Sequence, residues 1–512
     1  MDFSWGYFFG NAELLKDGLS PDDLFDRADL MLQAVIGLSF SLSAENPPMK
    51  SLSLTRRALC VIMSAPLDTC LRIAMNRLFA LLGLLILMPA AMAAESLAQA
   101  VQADYENHLE ALFLDLHAHP ELSFREQVTA AKLAKELRAV GFDVTEQVGG
   151  TGIVAMMKNG DGPMIMMRAD MDGLPVEEKS GLAYASKATQ TNMAGDVMPV
   201  MHACGHDVHM TALVGTARRM AATRDAWSGT LMLIGQPAEE VVGGAKAMME
   251  DKLWERFGTP DKALSLHVFS GLEAGIINIS DASPYSGADT VEITVHGAGA
   301  HGAAPHTGKD PIVLAAEIVM ALQTLVSREL SPYEPGVVTV GYLHAGTKHN
   351  IISDKAELGL TVRSDNPQTR EKLLQGIKRI AENMGRVAGL PEALLPTVNL
   401  AVESTPPTMN DPELANHLMA LFTQAFGADA VVRLPKNSMG AEDFPYFTTD
   451  PRIPSVYFTI GGSSKASLEV AKANGTLVPS NHSPLFKIEP EPSVTRSIEA
   501  TVVALMDFMG KK

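Results

Sequence analysis

The sequence predicts an α/β protein whose mostly parallel mixed sheet is interrupted by an inserted α+β unit of ferredoxin-like order. Three observations carry that expectation. From about Asp104, short apolar runs of the buried-strand kind alternate with segments of helical period. Three of those runs end in acids or a histidine. Between Gly287 and Ser404 the rhythm changes to β-α-β-β-α-β, the order of a split βαβ unit. At 512 residues the chain exceeds one ordinary domain and is long enough to bury a large core.

The start of the chain reads differently. Residues 1–74 show no sustained period and are expected to be an upstream extension without a folded role. Met75 to Ser96 then combines a basic start at Arg77, an apolar run from Leu78 to Met88 and the small-residue end Ala91-Met92-Ala93. That is the anatomy of a secretory signal peptide over 75–93, with cleavage after Ala93 and translation starting near Met75. The apolar run is too short for a comfortable membrane span, so no stable membrane anchor is expected, although an N-terminal anchor helix is the alternative. The mature protein is therefore expected to be exported, periplasmic or secreted. Its main domain is read in two pieces, 94–286 and 405–512, around an inserted domain at 287–404.

Within those bounds the elements follow in order. Glu126 to Val140 has helical spacing and stops at Gly141; Gly152 to Met157 and Met164 to Met167 read as buried strands. Val208 to Ala222 is helical, Thr230 to Ile234 a strand, Gly244 to Phe257 helical and Ala263 to Leu266 a strand. The inserted unit reads as strand Thr290 to Val295, helix Asp310 to Ser327, strands Val337 to Leu343 and Ala356 to Arg363, helix Pro367 to Gly385 and a strand near Thr397 to Val402. The α/β pattern resumes at Asn410 and ends in the helix Ser493 to Met509.

Composition excludes some functions. A formal net charge of -18 argues against a nucleic-acid partner, because phosphate binding needs a basic face. Cys60 and Cys70 lie in the extension, which leaves Cys204 alone in the mature part and rules out an intramolecular disulfide there.

The polar groups at the strand ends carry the chemistry. Met164 to Met167 leads into Arg168-Ala169-Asp170-Met171-Asp172, Thr230 to Ile234 into Gly235-Gln236-Pro237-Ala238-Glu239-Glu240, and Ala263 to Leu266 into His267. In open α/β sheets ligands bind at that edge. Before the Val208 helix stands His202-Ala203-Cys204-Gly205-His206-Asp207. Cysteine and histidine two apart can turn toward one metal, and thiolate, imidazole and carboxylate together suit zinc, manganese less comfortably. His202 and His209 are open to a simpler reading as hydrogen-bonded core or surface residues. Glu239 and Glu240 repel unless a cation or shared proton intervenes. A metal can hold one while the other takes a proton from water; the alternative is a solvated acidic turn. Ser480 to Pro484 adds His482, and Met439 to Phe444 adds Glu442-Asp443, which cap a helix or act chemically. Gly297 to His306 is a glycine-rich turn containing His301 but no P-loop lysine. Asn350 and Arg363 sit in the same unit; a guanidinium there could grip a carboxylate, or simply face solvent.

Taken together, the segments DLHAHPELSFRE, MRADMDGLPVEE, MHACGHDVHM, GQPAEE, HGAGAHGAAPHTGKDPI, MGAEDFPYF and NHSP occur in one order from about Asp115 to the end. They resemble the metallopeptidase family of aminoacylases, carboxypeptidases and hippurate hydrolases, above all its branch of hippurate and auxin-conjugate amidohydrolases. The resemblance implies a zinc-peptidase-like catalytic domain carrying a lid and dimerisation domain. It implies that Cys204, His206, Glu240, His267 and His482 bind two divalent metals, zinc or manganese, and that Glu239 is general base and then general acid. Asp172 falls where the family places an acid that orients a metal-binding group. By the same resemblance His301 reaches the partner's active site in a homodimer to stabilise the oxyanion, and Asn350 and Arg363 contact the substrate. The cysteine ligand is typical of this branch. The implied reaction is hydrolysis of an N-acyl amino acid or short peptide with a free carboxylate; a dipeptidase or carboxypeptidase and a non-catalytic binding protein are the alternatives. Two features depart from the family pattern: the long preface, and Ser353 where relatives usually carry proline.

Overall fold

The structure, a computed structural model, describes residues 96–436 and 438–511. The expectations for the extension and the signal peptide lie outside the described residues.

The main sheet has eight strands: β1 (Asp143–Val148), β2 (Gly152–Asn159), β3 (Met164–Asp170), β4 (Gly229–Gln236), β5 (Lys262–Glu273), β6 (Ile277–Asn278), β11 (Val431–Val432) and β12 (Ser455–Ser463). Numbers β7 to β10 belong to the inserted unit. The order is β1-β2-β4-β3-β5-β12-β6-β11. Its centre, β4-β3-β5-β12, is parallel, while β1, β2 and the β6–β12 pair add antiparallel contacts. Parallel strands covered on both faces read as continuous apolar runs, and the side chains here split by alternation. Ile165, Met167, Leu231 and Leu233 enter the larger core on one face; Met166, Met232 and Ile234 enter a second core on the other.

The helix His206–Ala222 covers β3 on the first face and is itself crossed by the C-terminal helix Pro490–Met509. That crossing is close because Gly215 has no side chain: a Cβ there would stand 2.2 Å from Ile498 Cδ1.

The inserted unit contains β7 (Gly287–His296), helix Pro311–Thr324, β8 (Gly336–Ala345), β9 (Lys355–Ser364), helix Pro367–Val387 and β10 (Thr397–Thr405). Its strands pair antiparallel in the order β8-β9-β7-β10, around a core of their own. Both helices begin at side-chain caps with proline in the first turn: Asp310 accepts from Ile312 and Val313 N–H, and Asn366 from Thr369 N–H.

Two elements differ from the sequence reading. The single helix expected over Gly244 to Phe257 is two, Gly244–Glu250 and Leu253–Phe257, because Lys252 adopts φ +59° and Asp251 turns to accept Gly149 N–H at 3.1 Å. The strand expected to end before His267 runs on to Glu273 beside β12, so His267 lies within β5. The polar His267 and Ser270 hide that continuation from an apolar-run criterion, yet both are buried.

Candidate metal centre

The loop before helix His206–Ala222 turns at Gly205 with φ +86°, where a Cβ would meet Val268 Cγ1 at 2.2 Å. Only glycine fits, and the turn lets its two neighbours point into one cavity. Cys204 Sγ lies 3.4 Å from His267 Nε2 and 3.3 Å from His482 Nε2. His482 Nε2 is also 3.4 Å from Glu240 Oε2, while Glu240 Oε1 is 3.8 Å and Glu239 Oε2 4.0 Å from His206 Nε2. Cys204, His206, Glu240, His267 and His482, over 250 residues apart at the extremes of the sequence, thus converge with Glu239 on one site. His482 closes the exposed rim; its backbone sits at φ +70°, fixed by donation to the Ala203 carbonyl at 2.8 Å.

The imidazoles are oriented for coordination. His206 Nδ1 donates to the Asp172 carbonyl at 2.8 Å, and His267 Nδ1 to the Val268 carbonyl at 2.7 Å. Because a carbonyl only accepts, each ring keeps its Nε2 lone pair for the cavity. Asp172 also holds the acidic pair: Oδ1 accepts Glu239 N–H and Oδ2 accepts Glu240 N–H, both at 3.1 Å.

Two atoms at the centre, His206 Nε2 and Glu240 Oε1, are buried without a hydrogen-bond partner among the described residues. Facing acceptors of this kind are costly unless a cation lies between them. The protonation balance points the same way. Burial, then Glu240 and Glu239, drives the Cys204 thiol well above its usual range. Burial works against the His206 imidazolium, but Asp170, Asp172 and Glu240 raise its pKa to about 10. Burial raises Glu240 to about 8 despite His206, and burial with Glu442 and Glu240 pushes Glu239 well up. Burial keeps His267 neutral, the form that ligates. A cavity that pulls protons onto its imidazole and its carboxylates lacks positive charge, which a divalent ion supplies while releasing those protons. The donor set fits a metal.

The sequence left the roles of several neighbours open. Asp170 takes the Nδ1–H of His209 at 2.5 Å and Arg168 at 2.6 Å, while His209 Nε2 accepts Val268 N–H at 2.8 Å. His209 is therefore a hydrogen-bonded core strut, the simpler of its two readings. Arg168 spans to Glu442 at 2.8 Å, and Glu442 and Asp443 stand near Glu239. They belong to the buried carboxylate network, and Glu442 also accepts Phe444 N–H at 2.9 Å. Asn481 ties the His482 loop to the Cys204 carbonyl at 3.1 Å and the Val268 carbonyl at 3.2 Å; its place in the NHSP segment was the available signal. Tyr285 packs on His267 with ring centroids 5.9 Å apart, and nothing local in the sequence marks it.

His301, Asn350 and Arg363 are not brought to this cluster within the chain. His301 is exposed on the two-residue strand Ala300–His301, where its Nδ1 accepts Ala303 N–H at 3.0 Å. Asn350 is exposed, and Arg363 is half-buried on β9.

A parallel α/β sheet that gathers a thiol, three imidazoles and paired carboxylates at one edge defines the class of metal-dependent hydrolases. The profile of peptidase family M20/M25/M40 matches residues 166–474, and the chain belongs to that family. It is 33% identical over 380 residues to thermostable carboxypeptidase 2 of Saccharolobus solfataricus, covering 73% of this chain and 89% of that protein. To the hippurate hydrolase of Campylobacter jejuni it is 34% identical over 345 residues, covering 67% and 86%. A crystal structure of a dinuclear metal-binding M20 peptidase from Bacillus subtilis superposes with a TM-score of 0.63 at 27% identity, covering 79% of this chain and 99% of that one.

Proposed function

We propose that the protein hydrolyses the amide bond of N-acyl amino acids, or of short peptides with a free carboxylate, with two divalent ions, zinc or manganese, held by Cys204, His206, Glu240, His267 and His482. The observation that carries this reading is the division of labour built into Glu239-Glu240. Glu240 faces Cys204, His206 and His482, whereas Glu239 lies between His206 and the Glu442–Asp443 side. When bound, the ions polarise the scissile carbonyl and make water acidic enough to ionise near neutral pH. Glu239, buried among other carboxylates and hence strongly basic, accepts the proton of the attacking water. It returns that proton to the leaving nitrogen as the C–N bond breaks. Asp172 keeps Glu239, Glu240 and His206 in register through the three contacts above.

Arg363 pairs with the substrate carboxylate, Asn350 contacts the substrate, and His301 stabilises the oxyanion across a homodimer interface formed by the inserted unit. Support comes from exposed apolar side chains there. Val313 and Met320 are 55% and 71% exposed on one helix, and Tyr342 and Leu343 are exposed on the edge strand β8. Export of the mature enzyme rests on the sequence of Met75 to Ala93.

The test is a screen of metal-loaded protein against N-acetyl, N-benzoyl and indole-acetyl amino acids and against dipeptides. Chelator-sensitive release of the amino acid from an acyl conjugate is expected. Release from dipeptides alone makes the enzyme a peptidase; no release from any, with metal bound, overturns the reading. Mixing inactive His301→Ala chains with inactive Glu239→Gln chains should restore part of the activity. No recovery after proven subunit exchange removes the cross-subunit role.

A further inference from the structure

The segment DLHAHPELSFRE received no role from the sequence, and the mechanism above does not use it. Its last residue, Glu126, precedes the helix Gln127–Ala139 and is 0% exposed. A buried carboxyl so placed needs partners, and it finds them in the loop that carries the acidic pair. Glu126 Oε1 accepts Ala238 N–H at 2.8 Å and Phe124 N–H at 3.0 Å, and Oε2 accepts the Thr151 hydroxyl. Three residues earlier in the same segment, Ser123 Oγ donates to Asp172 Oδ2 at 2.6 Å. Since Asp172 accepts Glu239 N–H and Glu240 N–H, two buried carboxylates grip three successive backbone N–H groups, at Ala238, Glu239 and Glu240.

That loop has reason to be held. Ala238 adopts φ +49° and Val242 φ +54°, left-handed backbone that alanine and valine avoid when free. Strain of this kind persists only where surrounding contacts over-determine it. The gripped peptides are those whose side chains supply one proposed ligand and the proposed base.

We propose that Glu126 is a positioning residue for the Glu239-Glu240 pair, acting through the Ala238 N–H to fix Glu240 toward the metal and Glu239 toward the reacting water. The kinetic half of this proposal rests on the hydrolase reading; the metal-binding half does not. Burial, reinforced by Asp172, raises the Glu126 carboxyl to about 7, so a neutral acceptor can take its place. Glutamine keeps one oxygen for Ala238 and Phe124, and its amide can donate to the Thr151 oxygen.

The experiment titrates apoprotein with Co²⁺, following the thiolate absorption band, and measures kcat and KM of the metal-loaded protein. Glu126→Ala should weaken Co²⁺ affinity and lower kcat, each by about 10–100-fold, the range carried by groups that support a ligand, with KM changed by less than about threefold. Glu126→Gln should restore both to near the wild-type values. Thr151→Val, which removes only the donor to Oε2, should shift both in the same direction by a smaller factor. It decides the matter if Glu126→Ala does not fold. A merely structural Glu126 would lower the melting temperature while folded protein kept wild-type affinity and kcat. That result, or wild-type values in Thr151→Val beside an unfolded alanine variant, overturns the proposal. So does a glutamine variant as impaired as the alanine one. If the wild type hydrolyses nothing in the substrate screen, the hydrolase reading falls, but the Co²⁺ titration still decides the brace.

Discussion

Replacing Glu239 by glutamine is expected to lower kcat by about 10²–10⁴-fold, the usual contribution of a positioned acid–base group, while metal content and KM stay close to wild type. Glutamine keeps the volume, and the backbone N–H that Asp172 holds at 3.1 Å is unchanged. What disappears is the proton acceptor. The environment makes the loss specific, because burial together with Glu442, Glu240 and Asp443 raises the basicity of this carboxylate. Glutamine also removes a buried acidic group from a crowded carboxylate cluster, so the variant should be no less stable to heat. Steady-state kinetics with elemental analysis check this. A variant that retains turnover places the base elsewhere; one that loses metal makes Glu239 a ligand.

The second large effect is expected at Cys204. Its Sγ stands 3.3–3.4 Å from both His482 Nε2 and His267 Nε2. A buried thiol whose ionisation is opposed by burial, Glu240 and Glu239 gains nothing from this location unless a cation stabilises its thiolate. Cys204→Ser keeps the shape but substitutes a group that does not ionise near neutral pH and is a harder donor. Metal affinity should fall by more than the about 10–100-fold carried by outer partners, and activity should return in part with excess metal. Loss of the Co²⁺–thiolate absorption band reads the same change without turnover. Unchanged metal content after dialysis would count against a thiolate ligand.

Much of this was legible in the sequence, for identifiable reasons. Runs such as Met164 to Met167 and Thr230 to Ile234 are short, apolar and bounded by polar residues, so the parallel centre of the sheet could be read directly. Cys204 and His206 are two apart, and Glu239 and Glu240 adjacent, so their convergence is partly local. What failed to show depends on distant pairing. Glu126 meets Ala238 across 112 residues and Arg168 meets Glu442 across 274, and neither pair has a pattern that announces the other. His209 stood beside a metal-ligand motif with a simpler reading as a hydrogen-bonded residue, and the Val268 N–H on its Nε2 gives it that role. The break at Asp251-Lys252 came from a tertiary hydrogen bond to Gly149, which no propensity encodes.

The most direct measurement is anomalous diffraction from crystals of the metal-loaded protein, collected above and below the metal absorption edge. Two peaks are predicted within the cavity bounded by Cys204, His206, Glu240, His267 and His482, with Cys204 Sγ, His206 Nε2 and Glu240 at ligand distance and Glu239 free to face the substrate. An empty cavity in fully loaded, active protein, or peaks bound by Glu239 and not by Cys204 and Glu240, would contradict the account.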